Sequence, residues 1–216
     1  MSSDDESDAH DFKNVDNLHQ EQIKNLKSFH KKMNWIYSDK GRYDLLDELY
    51  PLIRNWRGQL PNFRDIFGKK KIERLLTWAI KYIKELVWNR TAGEALIEFV
   101  ARSGYKDEPD VDKNVKPLLL RRTTPLHHAA DSLSFQEHTA ISELFKIYDG
   151  FDVNYISNWG MTHFHVACKY GINDAVEKFL EIGQDINCLV SKTGDSPLHL
   201  AAAGDAADER RRPEFG

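Results

Sequence analysis

The chain has 216 residues, enough for one sizeable domain or two small ones, and its 41% hydrophobic and 30% charged residues give the balance of a soluble globular protein rather than a membrane or fibrous one. The net charge of −4 is unevenly spread: residues 1–19 hold six acids and one lysine, residues 20–104 hold 17 basic against 10 acidic residues, and residues 105–216 hold 12 basic against 18 acidic. Two cysteines, Cys168 and Cys188, belong to no CxxC pair and make no disulfide framework, which points to a reducing compartment, the cytoplasm or the nucleus.

Residues 1–17 are acidic, serine-rich and almost free of large apolar groups, and are expected to be a disordered tail. They lack the basic and apolar regions of a secretory signal. Ser2, Ser3 and Ser7 beside acids are candidate phosphorylation sites, against the plainer reading of a solubilising tail. Residues 18–71 form an N-terminal helical region. Ile23, Leu26, Phe29, Met33 and Ile36 fall at helical steps, and so do Leu45, Leu46, Leu49, Leu52, Ile53 and Trp56. Pro51 should kink or split the second of these.

The strongest helical stripe is Ile72, Leu75, Leu76, Ala79, Ile80, Ile83, Leu86 and Val87. Lys81, Lys84 and Glu85 interrupt it, so it is no membrane span. Asn89-Arg90-Thr91 breaks it, with Thr91 placed as N-cap and Glu94 as capping-box partner of the next helix, Ala92 to Arg102, which closes at Ser103-Gly104.

Thr124-Pro125-Leu126-His127-His128-Ala129-Ala130 then opens a pattern that recurs at Thr162-His163-Phe164-His165-Val166-Ala167-Cys168 and Ser196-Pro197-Leu198-His199-Leu200-Ala201-Ala202, with spacings of 38 and 34 residues. A T-P-L-H-x-A start at a period of about 33 residues resembles the ankyrin-repeat family. The segment NRTAGEALIEFVARSGYKDEPDVD is also similar to stretches of insect multi-ankyrin-repeat proteins. The resemblance implies an all-α ankyrin-repeat solenoid of helix-turn-helix units with finger loops, preceded by the N-terminal helical domain. Residues 113–204 would be ankyrin repeats, the last one incomplete. Residues 72–112, which lack the TPLH start but carry Leu96-Ile97 and Ser103-Gly104 before Asp110-Val111-Asp112, would be a degenerate, capping-like repeat. Residues 205–216 hold Pro213 and no apolar period, and are expected to be a disordered tail.

The chemistry of the repeated positions is legible. Thr124 and Ser196 are good N-caps, and Pro125 and Pro197 sit at the first helical position, where a missing N–H costs nothing. Leu126, Phe164 and Leu198 should point into the core. In the middle repeat His163 replaces the proline at Thr162's helix and Cys168 replaces an alanine, which predicts a helix start weaker by about 0.5–1 kcal/mol. His127, His165 and His199 share one position, where each imidazole is expected to bond the backbone of the adjacent finger. As a metal site, His127, His128, His163 and His165 fail: neighbours two apart share no helix face and no cysteine or acid completes a zinc spacing, so no metal or cofactor is expected. Cys168 sits where a small core residue is required, which argues against a catalytic Cys168–His165 pair. Gly68-Lys69-Lys70-Lys71 lacks the frame of a phosphate loop, and its lysines oppose the helix dipole unless an acidic partner is present.

The family resemblance implies binding of another protein, without catalysis, by a monomeric scaffold or adaptor. Carried over by position, the partner-binding residues are Leu120, Arg121, Thr123, Asp131 and Ser132 in the first clear repeat, Asn158, Trp159, Met161, Lys169 and Tyr170 in the second, and Lys192, Thr193 and Asp195 in the third. Trp159, Met161 and Tyr170 are the expected apolar anchors, unless Trp159 folds back onto its own finger. The alternative is a nucleic-acid-associated protein that binds through the basic N-terminal helical domain. Trp35, Tyr37, Trp56, Phe63, Phe67, Trp78, Tyr82 and Trp88 would then stack on bases, although their helical spacing favours core packing.

Overall fold

Apolar side chains three and four apart draw the N-terminal third into a small helical bundle. The computed structural model describes residues 5–33, 39–86, 90–109, 119–134 and 137–209. Leu26 and Phe29 of α1 (Asp5–Lys32) and Met33 just after it pack with Leu45, Leu46, Leu49 and Ile53 of α2 (Asp39–Arg54) and with Phe63 and Phe67 of α3 (Phe63–Phe67). Trp35, Ile36, Tyr37, Val87 and Trp88, named in the helical pattern, lie outside the described residues, as do Ser2 and Ser3.

Helix α1 starts at Asp5, so the segment expected to be disordered over 1–17 is largely helical. Once Leu26 and Phe29 anchor the far end, extending the helix fixes one residue per hydrogen bond and needs no new nucleus. Helix α2 likewise runs through Pro51 without a break. Pro51 and Asp47 both lie on the exposed side, where water can serve the Asp47 carbonyl that proline leaves without an N–H.

Helix α4 (Lys69–Glu85) pairs with α5 (Thr91–Arg102). The expected Thr91–Glu94 capping box is not formed: Thr91 is the first helical residue, the cap position is Arg90 with helical dihedrals, and no side chain caps it. The two helices approach closely at Gly93, where a Cβ would stand 2.7 Å from the Ala79 carbonyl oxygen and 2.8 Å from Ile83 Cγ1.

The three TPLH-like starts open α6 (Pro125–Ser132), α8 (His163–Tyr170) and α10 (Pro197–Glu209), and α7 (His138–Ile147) and α9 (Asn173–Glu181) return behind the first two. Helices α4, α6, α8 and α10 pack side by side as an inner row, and α5 stacks on α7 behind them. Between repeats the chain projects fingers. Strand β1 (Leu119–Arg121) pairs in parallel with β2 (Asn154–Ile156), Leu119 opposite Asn154 and Arg121 opposite Ile156. Parallel pairing follows because successive fingers are copies displaced along the stack, not folded back on each other. The architecture is all-α with finger loops, as the repeat pattern implied.

The end of the stack departs from expectation in two places. Helix α10 continues to Glu209, past the start of the tail expected to be disordered from 205. Leu198, expected in the core, is 77% exposed, because among the described residues no helix returns behind α10 to cover it. No described helix is long and apolar enough to cross a membrane.

Candidate functional site

Each repeat start uses its histidine as the second half of a cap. The backbone N–H groups of Thr124, Thr162 and Ser196 donate to Nδ1 of His127, His165 and His199 at 3.1, 3.2 and 3.2 Å. In return, His165 N–H and His199 N–H donate to the hydroxyls of Thr162 and Ser196, each at 3.3 Å. The imidazole thus takes the place of the glutamate in a capping box. With Nδ1 accepting, the proton sits on Nε2, which is then free to donate. His165 Nε2 lies 3.1 Å from the Cys188 carbonyl oxygen, tying α8 to the next finger as expected. His127 faces the Met161 and Tyr155 carbonyls of its own next finger, but its Nε2 meets hydrogen-bond geometry with neither. Burial lowers its pKa to about 4, against a partial opposing pull from those carbonyls.

His163, the residue that breaks the TPLH pattern, leaves the cap of its helix in place. Thr162 still caps α8, and the ring of His163 is buried among Phe145, Tyr148, Tyr155 and His127. Its Nε2 lies 2.7 Å from Thr124 Oγ1. Burial holds it well below the usual histidine pKa.

Below this lies a charge network that the sequence patterns did not flag. Arg122 donates to both oxygens of Asp107, at 2.9 and 3.0 Å, and pairs with Glu73 of α4 at 2.9 Å. Its guanidinium carbon lies 5.0 Å from the Tyr155 ring centroid, and Tyr155 Oη donates to Asp107 at 2.7 Å. Burial pulls the Arg122 pKa down, but the bonds to Asp107 and Glu73 outweigh it and raise the pKa. The network fixes the first two fingers to the inner row. It holds no nucleophile next to a base, and no cluster of three or more metal-ligating groups occurs among the described residues.

On the outer side the fingers form a connected row. Asn158 N–H donates to Thr123 Oγ1 at 3.2 Å, and the Trp159 carbonyl accepts from Lys192 N–H at 3.2 Å and Ser191 Oγ at 3.3 Å. Gly160, at φ +86°, permits this approach, since a Cβ there would sit 1.9 Å from Ser191 Oγ. Trp159 is 40% exposed, with Lys192 Nζ 5.9 Å from its ring centroid. Arg121, Asp131, Asn158, Lys192 and Thr193 are also exposed, while Leu120, Thr123, Ser132, Met161, Lys169 and Asp195 are half-buried.

Two of the three expected anchors are not surface anchors. Tyr170 is only 3% exposed and its hydroxyl donates to the Leu133 carbonyl at 2.8 Å. The Leu133 carbonyl, just past the end of α6, holds the ring down against that helix. Met161 packs against the core. Lys169 is also engaged, with Nζ 2.6 Å from the Ala130 carbonyl oxygen. Of the basic run at Gly68-Lys71, Lys69 reaches the Glu108 carbonyl at 2.5 Å, an acceptor within the chain at the point where an acidic partner was expected.

Comparison with known proteins agrees with this geometry. The family model of ankyrin repeats in three copies matches residues 76–189 and 126–208. BCL-6 corepressor-like protein 1 of Homo sapiens is 30% identical over 122 residues, covering 56% of this chain and 5% of that protein. The chain therefore corresponds to a small part of that relative's length. No solved structure gives a significant match.

Proposed function

Given that the chain belongs to the ankyrin-repeat family, whose repeats are in general protein–protein interaction modules, we propose that it acts as a non-catalytic scaffold or adaptor. It holds its partner against the row of fingers and the adjoining face of the inner helices. The observation that carries this reading is Trp159: a large aromatic, held out at a finger tip by bonds from the next finger instead of being folded into the core. A pre-ordered aromatic surrounded by polar finger residues is the composition of an interface anchor. Helices α4 and α5 stack on α6 and α7 on one side and are covered by α2 and α3 on the other.

The basic N-terminal helices are a poorer candidate for the binding surface. Phe63, Phe67, Trp78 and Tyr82 are buried, and Trp56 packs edge-on to Phe99 at 5.5 Å. Base stacking needs aromatic faces open to solvent, and among the described residues four of these are buried and Trp56 is half-buried.

The test is a pull-down from a lysate of the source with the intact chain and with Trp159→Ala, folding being checked by circular dichroism. A specific protein held by the intact chain and lost with Trp159→Ala is the expected result. The same proteins on both would move the function away from the fingers. Tyr170 and Met161 are unsuitable for this test, because truncating them opens the core.

A further inference from the structure

We propose that the concave face between the inner helices and the fingers binds an acidic, extended segment of the partner protein. The proposal rests on the reading of that face as the partner site and adds the chemistry of what it recognises.

Helices α4, α6 and α8 lie side by side here, with Lys169 Nζ of α8 at the Ala130 carbonyl of α6 and Lys192 Nζ against the Trp159 ring, and cations outnumber acids on this face. Asp131, on α6, lies within electrostatic reach of Lys84 from α4, His128 from its own helix, Lys169 from α8 and Lys192 from the third finger, and Lys81 acts on His128. These groups span three inner helices and a finger, and Asp131 is the one exposed acid among them. Glu73 also reaches His128, but it is bound to Arg122. Lys81, Lys84 and Lys192 enter no ion pair among the described residues, and Lys192 Nζ lies against the Trp159 ring. The opposite side of the stack carries the acids: Glu94, Glu98, Glu137 and Glu143 line one hollow between α5 and α7, and Glu98, Glu137 and Glu143 are answered there by Arg102, Arg90 and Lys146.

Unpaired cations in a recess attract an anionic ligand within about 8–10 Å at moderate salt. A protein segment fits better than a nucleic acid. Asp131 stands at the centre of the cluster, where a continuous run of phosphates would meet it. The surrounding half of the chain holds 18 acidic against 12 basic residues, which repels a long polyanion but not a short peptide confined to the groove. Trp159 beside Lys192 supplies an apolar contact for one side chain, not a series of stacking faces.

The probe is a short fluorescein-labelled peptide of alternating Glu and Ser with one central Phe, titrated by fluorescence anisotropy. The intact chain should bind it. Lys84→Glu/Lys192→Glu should weaken binding by about tenfold or more, Asp131→Asn should tighten it, and the exposed α1 pair Lys24→Glu/Lys27→Glu should leave it unchanged. Lys84→Gln/Lys192→Gln, which adds no repulsion, should fall between. Equal losses from the groove and α1 variants would overturn the proposal. So would a single-stranded oligonucleotide that binds the groove more tightly than the peptide. The lysate pull-down separates the two levels. A partner that depends on Trp159 but not on Lys84 and Lys192 removes the acidic segment and leaves the scaffold reading standing. A partner that depends on none of them removes both.

Discussion

His163 Nε2 and Thr124 Oγ1 lie 2.7 Å apart, and this bond joins the starts of two successive inner helices. A consensus view would restore proline at position 163. The structure gives the opposite expectation. His163→Pro removes the buried bond and the ring that fills the space between Tyr148 and Tyr155. A lost hydrogen bond and the cavity together should cost about 2–4 kcal/mol, more than the gain of less than about 1 kcal/mol from a proline that restricts the unfolded chain. A urea melt followed by circular dichroism should show a lower midpoint for His163→Pro. An unchanged or higher midpoint would show that the ring contributes nothing.

The buried histidines also make stability depend on pH. The unfolded chain takes up a proton at each near 6.5, while folded His127 does so only near 4 and burial holds folded His163 well below 6.5. The unfolded state therefore binds more protons below pH 6.5, and stability falls as pH drops through that window, by up to about 1.4 kcal/mol per unit for each histidine. Urea midpoints measured from pH 7.5 down to 5 should decline, with a shallower decline in His163→Phe. Parallel slopes for the two proteins would rule out a part for His163.

Alanine normally improves an exposed helix position occupied by glycine by about 1 kcal/mol. Gly93→Ala should do the reverse. The added Cβ meets a backbone carbonyl at 2.7 Å and a buried isoleucine at 2.8 Å, so α4 and α5 must separate. A destabilisation of about 1–3 kcal/mol is expected from overpacking, read as a lower thermal midpoint.

Arg122 is the sharpest test of the charge network. Arg122→Met leaves Asp107 buried without its cation and should destabilise by about 3–5 kcal/mol. Arg122→Lys keeps the charge but loses the fork that spans both Asp107 oxygens, and should fall between Met and the intact chain. Equal stability for Lys and Met would mean that charge is irrelevant at this position.

These residues also mark what a linear reading can reach. The repeat starts are local: a threonine or serine, a helix and a histidine three residues on are enough to fix the cap, and they folded as the pattern implied. The finger-to-histidine tie at Cys188 followed from periodicity. Tyr170 did not, because whether it is exposed depends on the Leu133 carbonyl, 37 positions earlier in the chain. Arg122, Asp107 and Glu73 are spread over three elements and show no periodic signature. Thr91 looked like a cap, but Arg90 occupies that position instead. Pro51 suggests a kink or split in the linear pattern, yet α2 runs through it because Pro51 and Asp47 lie on the exposed side. The exposed finger tips were legible as positions, while the concave charge became visible only when Lys84, Lys169 and Lys192, far apart in the chain, converged on Asp131.

The exposed Leu198 carries a kinetic consequence. Helix α10 is covered on its α8 side and bare at that leucine, whereas α6 and α8 are each packed between two inner-row neighbours. Its amides should open and exchange with solvent first, and those of α6 and α8 last. The stack would then unzip from α10 toward the interior, one unit at a time.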